Sequence, residues 1–317
     1  MFGSIKKYIG NFYTKATSRD EKMRVDDFKF HDAFEEDSNN GLILNDHYIP
    51  EEILIKILSF VPPKELLTLA LVCKKWCNII KSEMLWIDIY KRENPHPTKW
   101  LPWYVYYVYC TTNAFKNMLQ NGNGNDQYRH WKIMRNFGDQ FVIEKEPQGS
   151  EPLPSNVPDF NGHKSCFATS YYECTKLQEI KLEDRRLLRY IMNKHKPHLY
   201  ASEWVAARFD CGSKYVLQFK GLSQELKQIA KDGDDDDIDY DSAVLFQDER
   251  QIFMPQWGNA TWSKVEIVID DYPDNVMSLI FLHEGRDTQY WKGHYGSKMA
   301  GGVVKLLFDT IKTEDLS

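Results

Sequence analysis

The sequence lacks the features that mark membrane, nucleic-acid-binding and secreted proteins. No apolar run approaches the roughly 20 residues that a membrane-spanning helix needs. The net charge is -6, so there is no basic field to attract nucleic acid. The opening segment MFGSIKKYIGNFYTKATSRD has neither the apolar core nor the cleavage site of a signal peptide, and it does not match the myristoylation pattern. We therefore expect a cytoplasmic protein with no membrane span and no nucleic-acid partner.

Cysteine pairs suited to a metal are also scarce. No two of the six cysteines form a C-x-x-C pair; they are Cys73, Cys77, Cys110, Cys166, Cys174 and Cys211. His163 and Cys166 are the only His–Cys pair at close spacing, and a single pair is weak evidence for zinc. We interpret the cysteines as buried free thiols in a reducing compartment, and we expect neither a metal nor a cofactor.

Catalytic motifs are missing as well. The sequence contains no G-x-S-x-G, no H-E-x-x-H and no P-loop, and its nine histidines are scattered. His195 and His198 are three residues apart, but Pro197 between them indicates a loop. The acidic run at 232–241 lacks the residue order and closing glutamate of an EF-hand, so we interpret it as a solvated loop between strands. The sequence therefore predicts a protein that is not an enzyme.

Apolar surface, by contrast, is plentiful in the stretch 49–86. Pro50 stands where a helix can begin without losing a needed amide, and Pro62-Pro63 ends that helix. Apolar residues at one-face helical spacing predict three short helices, marked by Ile53, Leu54, Ile57 and Leu58, then Leu66, Leu67, Leu69 and Ala70, then Val72, Trp76, Ile79 and Ile80, with Leu85-Trp86 closing the unit. A unit of this size is marginal alone, so its surplus apolar surface indicates either a docking face for a partner or a subdomain packed on its own neighbour. Periodicity leaves both open.

This stretch resembles the F-box. The segments IPEEIL, ILSFVP, LLTL, VCKKW and LW occur in the order of that motif. The resemblance implies that residues 45–92 bind the Skp adaptor of a cullin–RING ubiquitin ligase. By the same resemblance, the residues that form or support the interface are Pro50, Ile53, Leu54, Ile57, Leu58, Leu66, Leu67, Val72, Cys73 and Trp76.

Beyond this unit the pattern changes. Residues 93–120 predict a proline-containing linker that continues into an aromatic segment, WYVYYVYCTTNAFKNML, whose periodicity fits a strand or a helix. Short period-two runs with Gly, Asn and Asp breaks predict an antiparallel β-sandwich over 121–308, with one helix within 177–193. Residues 1–44 are interpreted as a mostly disordered leader and 309–317 as a tail. The predicted fold class is therefore α+β multidomain: a small three-helix unit, a short helical linker and a sandwich.

The stretch HEGRDTQYWKGHYGSK, residues 283–298, is the most informative part of the sandwich region. Tyr290, Trp291 and Lys292 place two aromatic rings and a cation in a row, with glycines that allow a turn. Exposed aromatic rings stack on the C–H faces of sugar rings, and an ammonium group hydrogen-bonds their hydroxyls. Aromatic residues in strands more often belong to a core, so the residues alone leave both interpretations open.

A second resemblance bears on that choice. Residues 121–307 resemble the F-box-associated (FBA) domain of the sugar-binding F-box proteins, through Trp131, FATSY at 167–171, Trp204 and above all GRDTQYWKG at 285–293. The resemblance implies a galactose-binding-like β-sandwich that recognises the chitobiose core of high-mannose N-glycans.

Individual roles follow from this second resemblance. It implies that Trp291 stacks on a GlcNAc ring, that Phe209 and Tyr290 wall the pocket, and that Lys292 hydrogen-bonds the sugar. The loop at 156–161 offers a further asparagine, and the choice between its two asparagines stays open.

Three functions are therefore considered. The first is the substrate-recognition subunit of an SCF (Skp–cullin–F-box) ubiquitin ligase, which holds misfolded N-glycoproteins for ubiquitination and ER-associated degradation and reaches cullin and RING subunits through the Skp adaptor. The second keeps the ligase role but recognises an unglycosylated protein surface. The third is a carbohydrate-active enzyme with a helical appendage, and the missing catalytic motifs speak against it.

Overall fold

The computed structural model describes residues 40–94, 100–229 and 241–312. The leader up to residue 39, most of the acidic run at 232–241 and the end of the predicted tail lie outside the described residues. In chain order the helices are α1 (Glu51–Leu58), α2 (Pro63–Leu69), α3 (Lys74–Ile80), α4 (Glu83–Tyr90), α5 (Trp103–Thr111), α6 (Arg186–His195) and α7 (Leu226–Ile229). The strands are β1 (Ile43–Leu44), β2 (His47–Tyr48), β3 (Lys132–Asn136), β4 (Val142–Glu144), β5 (Cys166–Ala168), β6 (Cys174–Lys181), β7 (Leu199–Ala206), β8 (Ser213–Leu222), β9 (Val244–Met254), β10 (Ser263–Ile269), β11 (Ser278–Asp287) and β12 (Lys298–Leu306).

Helices α1 to α4 form a helical unit. The first helix begins directly after Pro50, with two glutamates in its first turn that complement the positive end of the helix. The three predicted helices are present, but Val72, expected on the buried side of the third, lies before that helix and is exposed. The structure adds a fourth helix. Ser82 is extended (φ -83°, ψ 140°) and separates α3 from α4. Leu85 and Trp86, expected to close the unit, lie within α4 and have no exposed surface.

Residues just before α1 pack on this helical unit. Leu42 is buried, and its carbonyl accepts the Ile49 N–H at 2.7 Å. The indole Nε1–H of Trp76 on α3 donates to the Gly41 carbonyl at 2.7 Å. The last residues of the predicted leader therefore contribute contacts to α3.

The aromatic segment after the linker folds as the helix α5. Its apolar residues are buried on several sides, which explains why its periodicity fitted both element types. The hydroxyl of Tyr104 lies 2.7 Å from Nε2 of His195 at the end of α6. At the end of α4, Tyr90 stacks on Phe308 with ring centroids 5.1 Å apart and planes inclined by 17°. The Tyr104 contact joins α5 to α6, and the Tyr90 contact joins the helical unit to the end of the sandwich.

The remaining strands confirm the antiparallel β-sandwich. One five-stranded sheet has the order β10-β7-β12-β5-β4 and the other β3-β6-β11-β8-β9. Along β8, Tyr215, Leu217 and Phe219 have no exposed surface, as their alternation predicted. The helix expected within 177–193 is confirmed from Arg186 onward and wrong before it, because residues up to Lys181 belong to β6, which pairs with β3 and β11.

A bulge interrupts β12 at the glycine pair. The register with β7 shifts between Ala300 and Val303, and Gly301 there has φ +65°, in the left-handed region that favours glycine. A side chain on Gly301 would begin 2.8 Å from the ring of Phe160. Across the residues that the structure describes, no helix combines the length and apolar character needed to cross a membrane.

Candidate functional site

The loop between β11 and β12, residues 288–297, begins with a turn that carries three of the four predicted sugar contacts. Tyr290, Trp291 and Lys292 are all exposed. The carboxylate of Asp287, which has no exposed surface, accepts the Tyr290 N–H at 2.5 Å and the Trp291 N–H at 3.1 Å. Burial raises the pKa of Asp287, and these backbone donors oppose that rise. A buried carboxylate thus holds two exposed aromatic residues in place, although Tyr290 lies at φ +59°.

The turn is anchored to the neighbouring β7–β8 loop. The Thr288 N–H donates to the Gly212 carbonyl at 2.9 Å, and the Gly212 N–H donates to Oε1 of Gln289 at 3.0 Å. A Cβ on Gly212 would lie 2.7 Å from the Thr288 hydroxyl, so glycine permits this close approach. Backbone and side-chain hydrogen bonds therefore join the two loops.

The β7–β8 loop presents the fourth predicted contact, Phe209, with about half of its surface exposed. Arg208 and Asp210 on either side of it form a two-pronged ion pair, with N–O distances of 3.0 and 3.1 Å, which holds the pKa of Asp210 below its usual value. The guanidinium of Arg208 lies 4.6 Å from the centre of the Tyr295 ring. The Tyr295 ring in turn meets Trp291 edge to face at 5.8 Å. Arg208, next to Phe209 in the chain, thus connects the β7–β8 loop to Trp291 through the Tyr295 ring.

Tyr290 faces a different part of this end of the sandwich. Its ring lies 5.9 Å from that of Tyr172, and Arg286 donates to its hydroxyl at 3.2 Å. They border an open depression of about 600 Å³, lined by Arg135, Phe137, Gly138, Tyr172, Glu173, Arg286 and Tyr290. The other three predicted sugar contacts are not among those lining residues. Tyr290 therefore separates two adjoining surfaces.

The loop at 156–161 packs on the core instead of projecting toward the turn. Phe160, within the short 3-10 helix Pro158–Phe160, is buried with its ring 5.6 Å from Trp204. Asp159 accepts the Trp204 indole N–H at 2.9 Å. Asn156 and Asn161 are exposed on this loop, and their part in the site stays a prediction.

Sequence reasoning missed three exposed aromatic residues near the candidate site: Phe137 and Tyr172 beside Tyr290, and Trp257 beside Phe209. Trp257, between β9 and β10, has its ring centroid 6.5 Å from that of Phe209. The two residues are 48 positions apart in the chain, so neither spacing nor periodicity could bring them together. A lone tryptophan beside turn residues was the available signal.

The predicted adaptor contacts divide by exposure. Those with exposed side chains are Pro50, Ile53, Ile57 and Val72. Those partly buried are Leu67, Cys73 and Trp76, and those buried are Leu54, Leu58 and Leu66. Three further apolar residues of the helical unit are exposed although they were not among the predicted contacts: Phe60, Leu71 and Met84. The first group is available to a partner, whereas the buried leucines support the helices from inside.

No group of three or more His, Cys, Asp or Glu side chains among the described residues is placed to hold a metal ion. The most unusual titratable cluster, formed by Lys176, Glu203 and His283, has no exposed surface and lies between the sheets. Burial also raises the pKa of Cys110 and Cys211 to about 11, which leaves both as thiols at neutral pH.

Comparisons with known proteins assign families to both halves of the chain. The model described as "F-box-like" matches residues 47–92, and the model "F-box associated region" matches residues 109–306. Mouse F-box only protein 6 is 30% identical over 271 residues, which cover 83% of this chain and 84% of that protein. Human F-box only protein 44 is 28% identical over 268 residues, covering 83% and 96%. Mouse F-box only protein 27 is 28% identical over 272 residues, covering 81% and 89%.

Proposed function

The chain belongs to the F-box proteins that carry an F-box-associated domain, and from that membership we propose that it is the substrate-recognition subunit of an SCF ubiquitin ligase. In this role it has no catalysis of its own. It holds a substrate near the ubiquitin donor and raises the effective concentration of the substrate's lysines there. Its partners are then the Skp adaptor, the cullin and RING subunits reached through that adaptor, and an N-glycosylated protein.

The exposed apolar side chains of the helical unit support the adaptor role. Ile53, Ile57 and Val72 leave 53%, 46% and 61% of their surface in solvent, although a small domain normally hides such side chains. Burying one of them fully contributes about 1.5–3 kcal/mol. We expect Ile57→Asp to abolish binding of the Skp adaptor in a pull-down. Val268→Asp, at an exposed apolar residue of β10, is the matched control and should bind normally.

The glycan role rests on one observation: the buried Asp287 carboxylate fixes Tyr290 and Trp291 in the open. Ordered aromatic rings that leave 56% and 41% of their residues' surface in solvent fit a ligand with apolar faces and a polar rim, which describes a pyranose. In our proposal Trp291 stacks on a GlcNAc ring of the chitobiose core of a high-mannose N-glycan. Phe209 and Tyr290 flank it, and Lys292 hydrogen-bonds its hydroxyls.

Calorimetry of the full chain with chitobiose tests this assignment. Trp291→Ala should weaken binding by about 2 kcal/mol or more, roughly thirtyfold. Phe253→Ala removes another exposed aromatic side chain, on β9, and should leave the affinity unchanged. Full binding by the Trp291 variant would refute the site, and no binding by the unaltered chain would refute the glycan role.

Misfolded glycoproteins marked for ER-associated degradation are the substrates that this role implies, and the cytoplasm is where they meet the ligase. The cysteines are consistent with that compartment, because all six are thiols that form no disulfide and four of them are buried.

A second candidate function keeps the ligase role but reads a protein surface. The depression beside Tyr290 favours it, because Phe137 and Tyr172 are exposed there next to two arginines. Such a mixture of aromatic and guanidinium groups is common where polypeptides bind. Capture of a substrate that survives complete removal of its glycans would support this alternative over the first.

A further inference from the structure

Trp257, in the turn between β9 and β10, is a large aromatic residue that contributes little to the packing of the core. It leaves 72% of its surface in solvent and has φ +59°, a backbone region that bulky residues rarely adopt. Its turn is nonetheless ordered: the Gly258 N–H donates to the Pro255 carbonyl at 3.2 Å. A strained and exposed tryptophan held in a defined turn points to a role outside the fold's own packing.

The turn that carries Trp257 is bound to the loops of the candidate sugar site. The Gln256 side-chain amide donates to the Asp210 carbonyl at 3.0 Å, and Gln289 donates to Oε1 of Gln256 at 3.5 Å. The backbone nitrogen of Gln256 would lie only 3.0 Å from a Cβ on Gly212, so this glycine allows the close approach. The loops bearing Phe209, Trp257 and Trp291 therefore form one connected framework.

The aromatic surface extends from Phe209 to Trp257. Their rings are 6.5 Å apart and inclined by 56°, so they form two walls that open to solvent and do not stack on each other. The charges beside them cancel, because Arg208 and Asp210 pair with each other. Inclined aromatic walls beside a neutralised ion pair suit an uncharged ligand with an apolar face.

We propose that Trp257 is a second stacking platform, which binds a neutral pyranose of the same oligosaccharide beyond the disaccharide held at Trp291. The inference rests on the proposed glycan role and deepens it, since it assigns this chain a preference for longer oligosaccharides over the bare disaccharide. Continuity with Phe209 is what favours a saccharide over an unrelated polypeptide at this position.

Calorimetry of the full chain with two ligands tests the proposal: chitobiose and a high-mannose oligosaccharide that contains it. Trp257→Ala should bind chitobiose as the unaltered chain does, but the oligosaccharide about tenfold more weakly. Trp257→Phe should recover most of that loss, and Phe253→Ala should match the unaltered chain with both ligands. Because Trp257 lies outside the core, its variants should keep their melting temperature.

The experiment distinguishes failure of the second stacking platform from failure of the glycan role. If Trp291→Ala abolishes binding while Trp257→Ala equals the unaltered chain with both ligands, the second platform is refuted and the glycan role stands. An equal loss for both ligands would also refute it, because Trp257 would then belong to the disaccharide site. A high-mannose glycoprotein serves as a third ligand. If Trp257→Ala weakens the binding of this glycoprotein but of neither free sugar, the residue contacts polypeptide and the proposal is wrong. If the unaltered chain binds neither sugar, the proposed glycan role itself fails.

Discussion

Replacing Lys176 with methionine should stabilise the protein, although the substitution removes a basic side chain. Lys176 lies on β6 with no exposed surface. Its Nζ is 3.5 Å from the Trp131 ring centre and 3.1 Å from that of Phe167, and it has no hydrogen-bond acceptor among the described residues. Burial lowers the pKa of Lys176 well below its usual value, and the carboxylate of Glu203 only partly opposes this. Folding therefore favours the neutral amine.

The neighbouring His283 is also a base whose neutral form is favoured by folding. Burial lowers its pKa from 6.5 to about 4, and it lies 2.5 Å from Glu203 through Nδ1. A base whose pKa is lower in the folded than in the unfolded chain binds fewer protons when folded, so folding stability falls as the pH falls. For His283 the loss begins near pH 6.5 and continues to about pH 4. At 1.36 kcal/mol per pKa unit it amounts to about 3 kcal/mol.

Lys176→Met keeps a side chain of similar length and removes an amine without an acceptor. An unsatisfied buried polar group costs about 1–3 kcal/mol, and the deprotonation cost disappears with it. We expect urea unfolding at pH 7 to show a gain of at least about 1–3 kcal/mol, with a shallower loss of stability toward pH 5. Lys305→Met, at a partly exposed lysine of β12, is the control and should leave the pH dependence unchanged. A less stable Lys176 variant with the original pH dependence would mean that the buried ammonium is charged and stabilising.

Three further predictions concern the turn, the core and the junction of the two folded parts. Asp287→Ala removes two charge-assisted backbone hydrogen bonds, worth about 1.5–3 kcal/mol each. It should weaken chitobiose binding in calorimetry although Asp287 itself does not contact the sugar in our proposal, and an unchanged affinity would refute its positioning role. Gly296→Ala would set a Cβ 2.8 and 2.9 Å from two backbone carbonyl oxygens, so the urea midpoint should drop by the equivalent of about 1–3 kcal/mol, and an unchanged midpoint would contradict the close packing. Phe308→Ala removes the ring on which Tyr90 stacks, and fluorescence energy transfer between labels on the helical unit and the sandwich should show a broader distance distribution; a distribution as narrow as before would show that other contacts suffice.

The sequence predicted those helices and strands that have one buried apolar face and one exposed polar face. Helix α1 has buried Leu54 and Leu58 beside exposed neighbours, and β10 alternates buried Val265 and Ile267 with exposed residues. Both were predicted. Helix α4 buries five of its eight residues, so it lacks the regular spacing of apolar and polar positions that marks an amphipathic helix, and no separate helix was predicted there. The aromatic helix α5 was ambiguous for the same reason.

The candidate site was predictable only where it is local in sequence. The turn at Tyr290 and Trp291 follows from adjacent residues and glycines, and its exposure agrees with the interpretation as a binding surface. The buried carboxylate that organises the turn and the connection from Gln256 to Asp210 depend on contacts between loops. Such contacts are set by strand order, which the pattern of a single sequence does not specify.

The most direct test of the central claim is whether this chain bridges the Skp adaptor to an N-glycan. A high-mannose glycoprotein is immobilised, and retention of the adaptor is measured with and without the full chain. We predict that the adaptor is retained only when the chain is present. Ile57→Asp should prevent retention by removing adaptor binding, and Trp291→Ala should prevent it by removing glycan binding, whereas Val268→Asp should leave retention unchanged. Retention that persists in the Trp291 variant, or after the glycan has been removed, would contradict the account.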